Sequence, residues 1–404
     1  MVGRGSTMKT ARIKELRLRH YRAFSSARLA LNNMTFLVGR NGAGKSTLMD
    51  ALSFLSESMT DSVGTALERR GNLKGLRQRQ PGKGNRFDVS VAVVLELERG
   101  QTCLYGFSLG TEPSRGSYLV KKEVLRGSES DLFHRQAVPS FDRDKESFRT
   151  ESVPVKPVVD PESLVLPLIA GTDTTWKQIT EALRNISVHQ FSPQAIRSEP
   201  KIGSEIRLNR DGGNAGDVLK AISPKDRKWI EDRLSAALPG LREIRAKARV
   251  GRRVIVFEQD GEAGETNSFD ASSMSDGSVR SLGILLALRQ TPRPSIVLID
   301  EIEDSLHPFA HGVLLDAIDS ASEGFPIVVS THSPEILSHP TAIGDRIRIV
   351  QWNEGTSRIF PLSGEVLAKL RPPMTVGRLL RSNALWTEDE PATTGADADF
   401  FEIS

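Results

Sequence analysis

Apolar residues along this chain keep two different periods, and the switches between them outline its elements. From residue 15 to 20 apolar and polar positions alternate, with Leu16 and Leu18 on one side. A similar alternation returns around residues 28–31, so two half-exposed strands are predicted. Met34–Val38 is a short apolar run interrupted only by Thr35, which predicts a buried strand. Ten residues after Val38, Leu48, Ala51, Leu52 and Leu55 fall at i, i+3, i+4 and i+7, one face of a helix. Residues 64–84 are basic and broken by glycine and proline, predicting a loop with one helical turn. Residues 87–97, 102–109 and 117–125 are strand-like and separated by glycine-containing turns, the pattern of an antiparallel meander.

The middle of the chain is less regular. Residues 126–170, proline-rich and of mixed charge, predict little order. A helix is predicted over Thr174–Arg184, a strand over 186–191, a polar turn-rich stretch over 201–216 and a helix over Pro224–Ala237. Strands are expected near 241–248 and 253–258. No internal repeat or sustained heptad emerges, which excludes a long coiled coil. Beyond residue 269, a helix opens after Met274, with Val279, Leu282, Leu285 and Leu286 on one face. An apolar strand, 295–300, ends in acids. A helix over 308–318 and a second apolar strand over 326–330 follow, the latter running into Thr331-His332-Ser333-Pro334. Strand, helix, strand at this spacing is a βαβ unit, whose ligands bind at the carboxyl ends of the strands.

Composition narrows the classes. With 404 residues, 38% apolar and 26% charged, the chain reads as a soluble protein of two or three lobes. A single cysteine, Cys103, excludes an internal disulfide and a cysteine-rich zinc site. No apolar stretch reaches the ~18 residues needed to span a bilayer, and residues 1–10 do not resemble a signal peptide, so a cytoplasmic protein without membrane contact is expected. Either Met1 or Met8 could be the natural start. The net charge of +3 conceals a gradient. Residues 1–100 hold 18 Lys/Arg against 8 Asp/Glu, whereas residues 387–404 hold six acids and no base. The basic lobe fits nucleic acid, a nucleotide or a solvated face equally. The acidic stretch after Leu385 is expected to dock a partner or to be disordered, with disorder preferred.

The chemistry concentrates at Gly39-Arg40-Asn41-Gly42-Ala43-Gly44-Lys45-Ser46-Thr47, placed between the predicted strand and helix. Glycines there let backbone N–H groups turn inward around an anion, and the helix N-terminus adds its dipole. Lys45 supplies a charge for the β- and γ-phosphates, and the Ser46 hydroxyl is placed to ligate Mg²⁺. Asp300 closes an apolar strand, where a carboxylate is costly unless it meets a cation. Mg²⁺ shared by Ser46 and Asp300 meets that cost. Glu301, one residue on, is positioned to polarise an attacking water, and His332 to orient the γ-phosphate. The implied cofactors are ATP and Mg²⁺.

These segments occur in the order of an ABC-type ATPase. Gly39–Thr47, Ser275-Asp276-Gly277 before a helix, Ile299-Asp300-Glu301 and Ser330-Thr331-His332-Ser333 resemble its RecF/SMC-like branch. So do the opening Leu18-Arg-His-Tyr-Arg-Ala-Phe24 and Glu301-Ile-Glu-Asp-Ser-Leu-His-Pro308. The chain is most similar to compact bacterial AAA-family ATPases found in phage-defence operons. The resemblance covers about residues 1–125 and 240–360. It implies an α/β P-loop NTPase fold, an ABC-ATPase head with an antiparallel β-subdomain and a partly helical insert. The expected division is 1–125 (N-terminal lobe), 126–240 (insert), 241–385 (C-terminal lobe) and 386–404 (acidic tail). It further implies a homodimer or higher oligomer, in which Ser275, Asp276 and Gly277 of one copy complete the other's nucleotide site. Gln190 is the candidate Mg²⁺-sensing glutamine, Gln194 the reserve, and Arg22 a nucleotide contact. Asp276 stands where a second glycine is usual, Ser278 where Gln or Glu is usual, and His307 where transporter-type members carry Asp; these departures bear on turnover. The expectation is an ATP-driven switch controlling a separate effector protein such as a nuclease, in antiviral defence. A RecF-like DNA repair ATPase and a slow-turnover scaffold are the alternatives. The residues after Ser333 lack a Glu…Asp-x-Asp cluster of the TOPRIM nuclease kind.

Overall fold

A computed structural model describes residues 11–78, 87–97, 100–111, 117–128, 138–144, 148–150, 157, 159–203, 205–306, 308–371, 373–385 and 400–403. The chain opens with strands β1 (Arg12–Tyr21), β2 (Phe24–Ala30) and β3 (Met34–Val38), then helices α1 (Lys45–Thr60), α2 (Val63–Glu68) and α3 (Asn72–Leu76). Strands β4 (Val89–Glu96), β5 (Thr102–Thr111), β6 (Tyr118–Gly127), β7 (Phe141–Asp144) and β8 (Phe148–Thr150) follow. Next come α4 (Leu166–Ile169), α5 (Thr174–Arg184), β9 (Ile186–His189), α6 (Pro193–Arg197), α7 (Ala215–Ala221) and α8 (Pro224–Ala237). The second half carries β10 (Leu241–Arg249), β11 (Arg252–Asp260), β12 (Thr266–Asp270), α9 (Asp276–Arg289), β13 (Ile296–Ile299), α10 (Pro308–Ser322) and β14 (Ile327–Thr331). It closes with β15 (Ile347–Asn353), β16 (Thr356–Pro361), α11 (Gly364–Lys369) and α12 (Val376–Arg381).

Two large sheets face each other. One is antiparallel, in the order β2-β1-β4-β5-β6-β7-β8; the other, β16-β15-β3-β14-β13-β9, is parallel except for the β15–β16 pair. Helices α1 and α5 fill the space between them, and their apolar residues share one core with Leu16, Val93 and Tyr105 of the first sheet and Leu37 and Val328 of the second. On the far side of the parallel sheet, Phe36, Ile299 and Val329 share a second core with α7–α10 and the small β10-β11-β12 sheet. Alternate residues of β3 therefore enter different cores, which is why the run Met34–Val38 has no polar face.

The elements predicted from hydropathy stand where periodicity put them; besides the short helices α6, α7, α11 and α12, which it did not reveal, there are four differences. Residues 64–84 carry two short helices, not one turn: Ser62 caps α2 by accepting from the Thr65 N–H at 3.1 Å, and the remainder, 79–84, lies outside the described residues. Part of the weakly patterned 126–170 stretch is regular, since β7 and β8 extend the antiparallel sheet and α4 leads into α5. Residues 126–240 thus contribute strands to both large sheets. The third difference is β12, β15 and β16, short or mixed-polarity strands that alternation did not reveal. Lastly, residues 400–403, inside the acidic tail expected to be disordered, lie against the antiparallel sheet, with Phe400 buried. Residues 386–399 and His307 lie outside the described residues.

Candidate functional site

The glycine-rich loop joins β3 to α1, and its shape requires its glycines. Gly42 and Gly44 have φ of 77° and 108°, which side chains rarely adopt. At Gly44 a Cβ would also stand 2.8 Å from the Ser357 hydroxyl, and at Gly39 one would stand 2.2 Å from the Val350 carbonyl. Lys45 is buried and spans the loop, donating to the carbonyls of Gly39 at 2.6 Å and Arg40 at 3.2 Å. Burial pushes its ammonium below the usual range, while the carboxylates of Asp300, Glu303 and Glu301 act in the opposite direction. Ser46 is exposed in the first turn of α1, with Thr47 behind it bonded to Gly44.

Pairing of β3 with β14, and of β14 with β13, brings the acids to this loop. Asp300 is buried at the end of β13, where the Ser330 hydroxyl of β14 donates to its carboxylate. The same hydroxyl accepts from the Glu301 N–H at 2.8 Å, so it binds both acids of the pair. Glu301 has φ 49°, a left-handed conformation costing roughly 1–2 kcal/mol in a residue with a side chain.

His332 lies just past β14, about half exposed, and does not act alone. Glu303 Oε1 accepts from the His332 backbone N–H at 2.7 Å and lies 2.9 Å from its Nδ1. The other oxygen of that carboxylate, Oε2, is buried with no hydrogen-bond partner. An unpartnered carboxylate oxygen whose charge is felt at Lys45 is what a cation beside the loop would satisfy. Among the described residues no cluster of three or more His, Cys, Asp or Glu could hold a metal. The Ser46 hydroxyl and the Asp300 carboxylate are hard oxygen donors of the kind Mg²⁺ takes, one or two from the protein with phosphates and water completing the shell.

Gln190 directly follows β9, whose His189 is in register with Ile299 of β13. It therefore sits at the same carboxyl edge as Asp300, whose N–H donates to the His189 carbonyl at 2.9 Å. Gln194 is carried away on α6. The Arg22 guanidinium pairs with Asp50 of α1 at 2.9 Å, a carboxylate that also receives Tyr21 and Arg70.

Ser275 caps α9, accepting from the Ser278 N–H at 3.2 Å. Asp276 is exposed and bound by Arg197 of α6 at 2.5 Å; the same arginine donates to the Met274 carbonyl at 2.7 Å. Gly277 lies in the first turn of α9. Two cavities flank the loop. One, of about 520 Å³, is lined by Arg40, Asn41, Gly42, Ala43, Trp352 and neighbours; the other, of about 370 Å³, by Gly39, Arg40, Asn41, His332 and Asn383 among others. Ser275, Asp276 and Gly277 line neither.

Three contributors escaped the sequence reading. Ser330 and Glu303 lie inside quoted motifs, but their partners are set by strand register. Arg280 is the third, 1% exposed on α9. It donates to the carbonyls of Phe191 at 2.7 Å, Asp300 at 3.3 Å and Glu301 at 2.6 Å, and meets the Asp304 carboxylate at 3.2 Å. A lone arginine beside Val279 on an apolar helix was the available signal, since a buried guanidinium must find acceptors.

Residues 34–338 match the family described as "AAA domain, putative AbiEii toxin, Type IV TA system". The "Retron Vc95 probable ATPase" of Vibrio cholerae is 21% identical over 388 residues, covering 84% of this chain and 73% of that protein. Two solved structures share the fold. An SMC head bound to the C-terminal winged-helix domain of ScpA has a TM-score of 0.57 at 15% identity, covering 89% of this chain and all of that one. An SMC head with an extended coiled coil from Pyrococcus furiosus, bound to the C-terminal domain of ScpA, has a TM-score of 0.53 at 12% identity, covering 89% and 98%.

Proposed function

The chain belongs to this AAA-domain, AbiEii-type family and is an ATPase with an SMC-head-like fold, and on that premise we propose that it is an ATP-gated switch. Two copies close on nucleotide, each offering Ser275, Asp276 and Gly277 to the other's phosphate loop. The observation that carries this reading is Arg280. One buried guanidinium ties the signature helix α9 to the backbone of Asp300 and Glu301 and to the segment after Gln190. A shift of the catalytic edge on nucleotide binding or loss is therefore passed to the signature loop at the N-terminus of the same helix.

In this reading the loop amides and Lys45 hold the β- and γ-phosphates. Lys45 exchanges the Gly39 and Arg40 carbonyls for phosphate oxygens. Glu301 accepts the proton of the attacking water, and His332, braced by Glu303, steadies the γ-phosphate. Ser46 and Asp300, with Gln190 nearby, would hold Mg²⁺, which when bound neutralises charge on the phosphate oxygens. The closed dimer presents a surface to a separate effector, such as a nuclease, in antiviral defence; the named retron relative supports that setting.

The test is Glu301→Gln. With ATP and Mg²⁺ it should accumulate as a dimer by light scattering and retain nucleotide, while Lys45→Ala stays monomeric and binds none. Wild-type hydrolysis by Glu301→Gln would overturn the assignment.

A further inference from the structure

The antiparallel sheet is apolar on both faces. Its inner residues, Val91, Val93 and Tyr105, enter the core over α1. On the outer face Ala92 and Val94 of β4, Leu104 of β5 and Val124 of β6 form a separate apolar cluster, covered by Phe400, Phe401 and Ile403. The covering segment is held by a built site. Arg17, 1% exposed, donates to the carbonyls of Phe400 at 3.2 Å and Glu402 at 2.5 Å. Arg126 donates to the Phe401 carbonyl at 3.4 Å. The Arg19 guanidinium lies 5.0 Å from the Phe400 ring centroid and the Lys122 ammonium 5.6 Å from that of Phe401. The two rings meet edge to face at 4.8 Å.

These contacts read backbone carbonyls and ring faces, which any short segment with an aromatic pair would offer. Arg17 pairs with Glu15 and Arg126 with Asp142 at 2.7 Å, so the groove recognises an aromatic pair through its apolar floor, its carbonyl-reading guanidinium groups and the cations over the rings rather than through net charge. We infer that this face is a docking site for a short extended segment of a partner protein that carries an adjacent aromatic pair, and that the chain's own residues 400–403 occupy it as a tethered competitor. Fourteen residues, 386–399, connect Leu385 to Phe400. Leu385 is itself buried in the core beyond the parallel sheet, close in sequence to Asn383, which bonds Arg40 of the phosphate loop at 3.4 Å.

The probe is a fluorescent peptide of residues 397–404, titrated into the full-length chain and into full-length F400S/F401S. A tethered segment sees an effective concentration on the order of 1 mM, so against a segment Kd on the order of 10 µM the probe should bind wild type about 100-fold more weakly than the variant. A peptide with both phenylalanines changed to serine should bind neither. F401S alone, which leaves Phe400 in the groove, should fall between, and it serves if the double variant is unfolded by circular dichroism. Equal affinity for wild type and variant, or no binding to either single or double variant, would overturn the inference. So would a wild-type dimer in sedimentation that F400S/F401S abolishes, because the groove would then belong to a second copy of the chain.

Discussion

Replacing Ser330 with alanine removes one oxygen atom and tests how the neighbouring acids Asp300 and Glu301, proposed as metal ligand and general base, are positioned. The hydroxyl is fully buried, donates to Asp300 and accepts from the Glu301 N–H. Its loss leaves the Glu301 N–H without this acceptor, at about 1–3 kcal/mol for an unmade buried hydrogen bond. Glu301 is also in a left-handed conformation that costs roughly 1–2 kcal/mol and needs such a restraint. If about 2–3 kcal/mol of that combined preference is what keeps Glu301 in its catalytic orientation, turnover should fall roughly 30- to 150-fold. Nucleotide binding should change little, because the loop amides and Lys45 are untouched. Phosphate release at saturating ATP, with binding of a fluorescent nucleotide in parallel, separates the two. Turnover within threefold of wild type would show that Glu301 is not held by Ser330 in any way that matters to catalysis.

Arg280→Met should leave ATP affinity near wild type yet abolish ATP-dependent dimerisation, and should lower stability by about 1–3 kcal/mol, as expected when buried carbonyls lose their donor; light scattering and chemical denaturation read both. Gly44→Ala, forced against φ 108° and the Ser357 hydroxyl, should weaken nucleotide binding more than about 100-fold with the circular dichroism spectrum unchanged. Burial pushes the pKa of His189 down to about 4. The unfolded chain therefore takes up that proton first, so this contribution to stability is complete above about pH 6.5 and is lost as pH falls towards 4, on the order of 2 kcal/mol by pH 5. His189→Gln should flatten the decline between pH 6.5 and 4.5 in denaturant titrations.

How much was legible in the residues follows from the range of the interactions. The phosphate loop is a local device: its glycines, lysine and serine act within nine positions, and the flanking periods reveal the strand and helix. The apolar runs at β3, β13 and β14 announced buried strands for the same reason. Glu303 and Ser330 were quoted without roles because each acts across a strand pairing that spacing cannot give. The ion pair of Arg22 with Asp50 of α1 is likewise a contact between distant positions that spacing cannot give. The run Val89–Glu96 held a further hint. A meander strand with one wet face should alternate, and this one does not, because the distant residues 400–403 cover its outer side.

The position of β3 has a consequence for synthesis. Its neighbours in the sheet are β14 and β15, and Met34 pairs with Ile327. At 5–20 residues per second a ribosome reaches β14 about 15–60 s after making β3. For that interval the nascent chain carries a largely apolar strand with both edges open, ahead of a phosphate loop with nothing to brace it. Nucleotide therefore cannot act as a template for the early chain, and holding factors that shield exposed strands should bind this protein while it is still being translated.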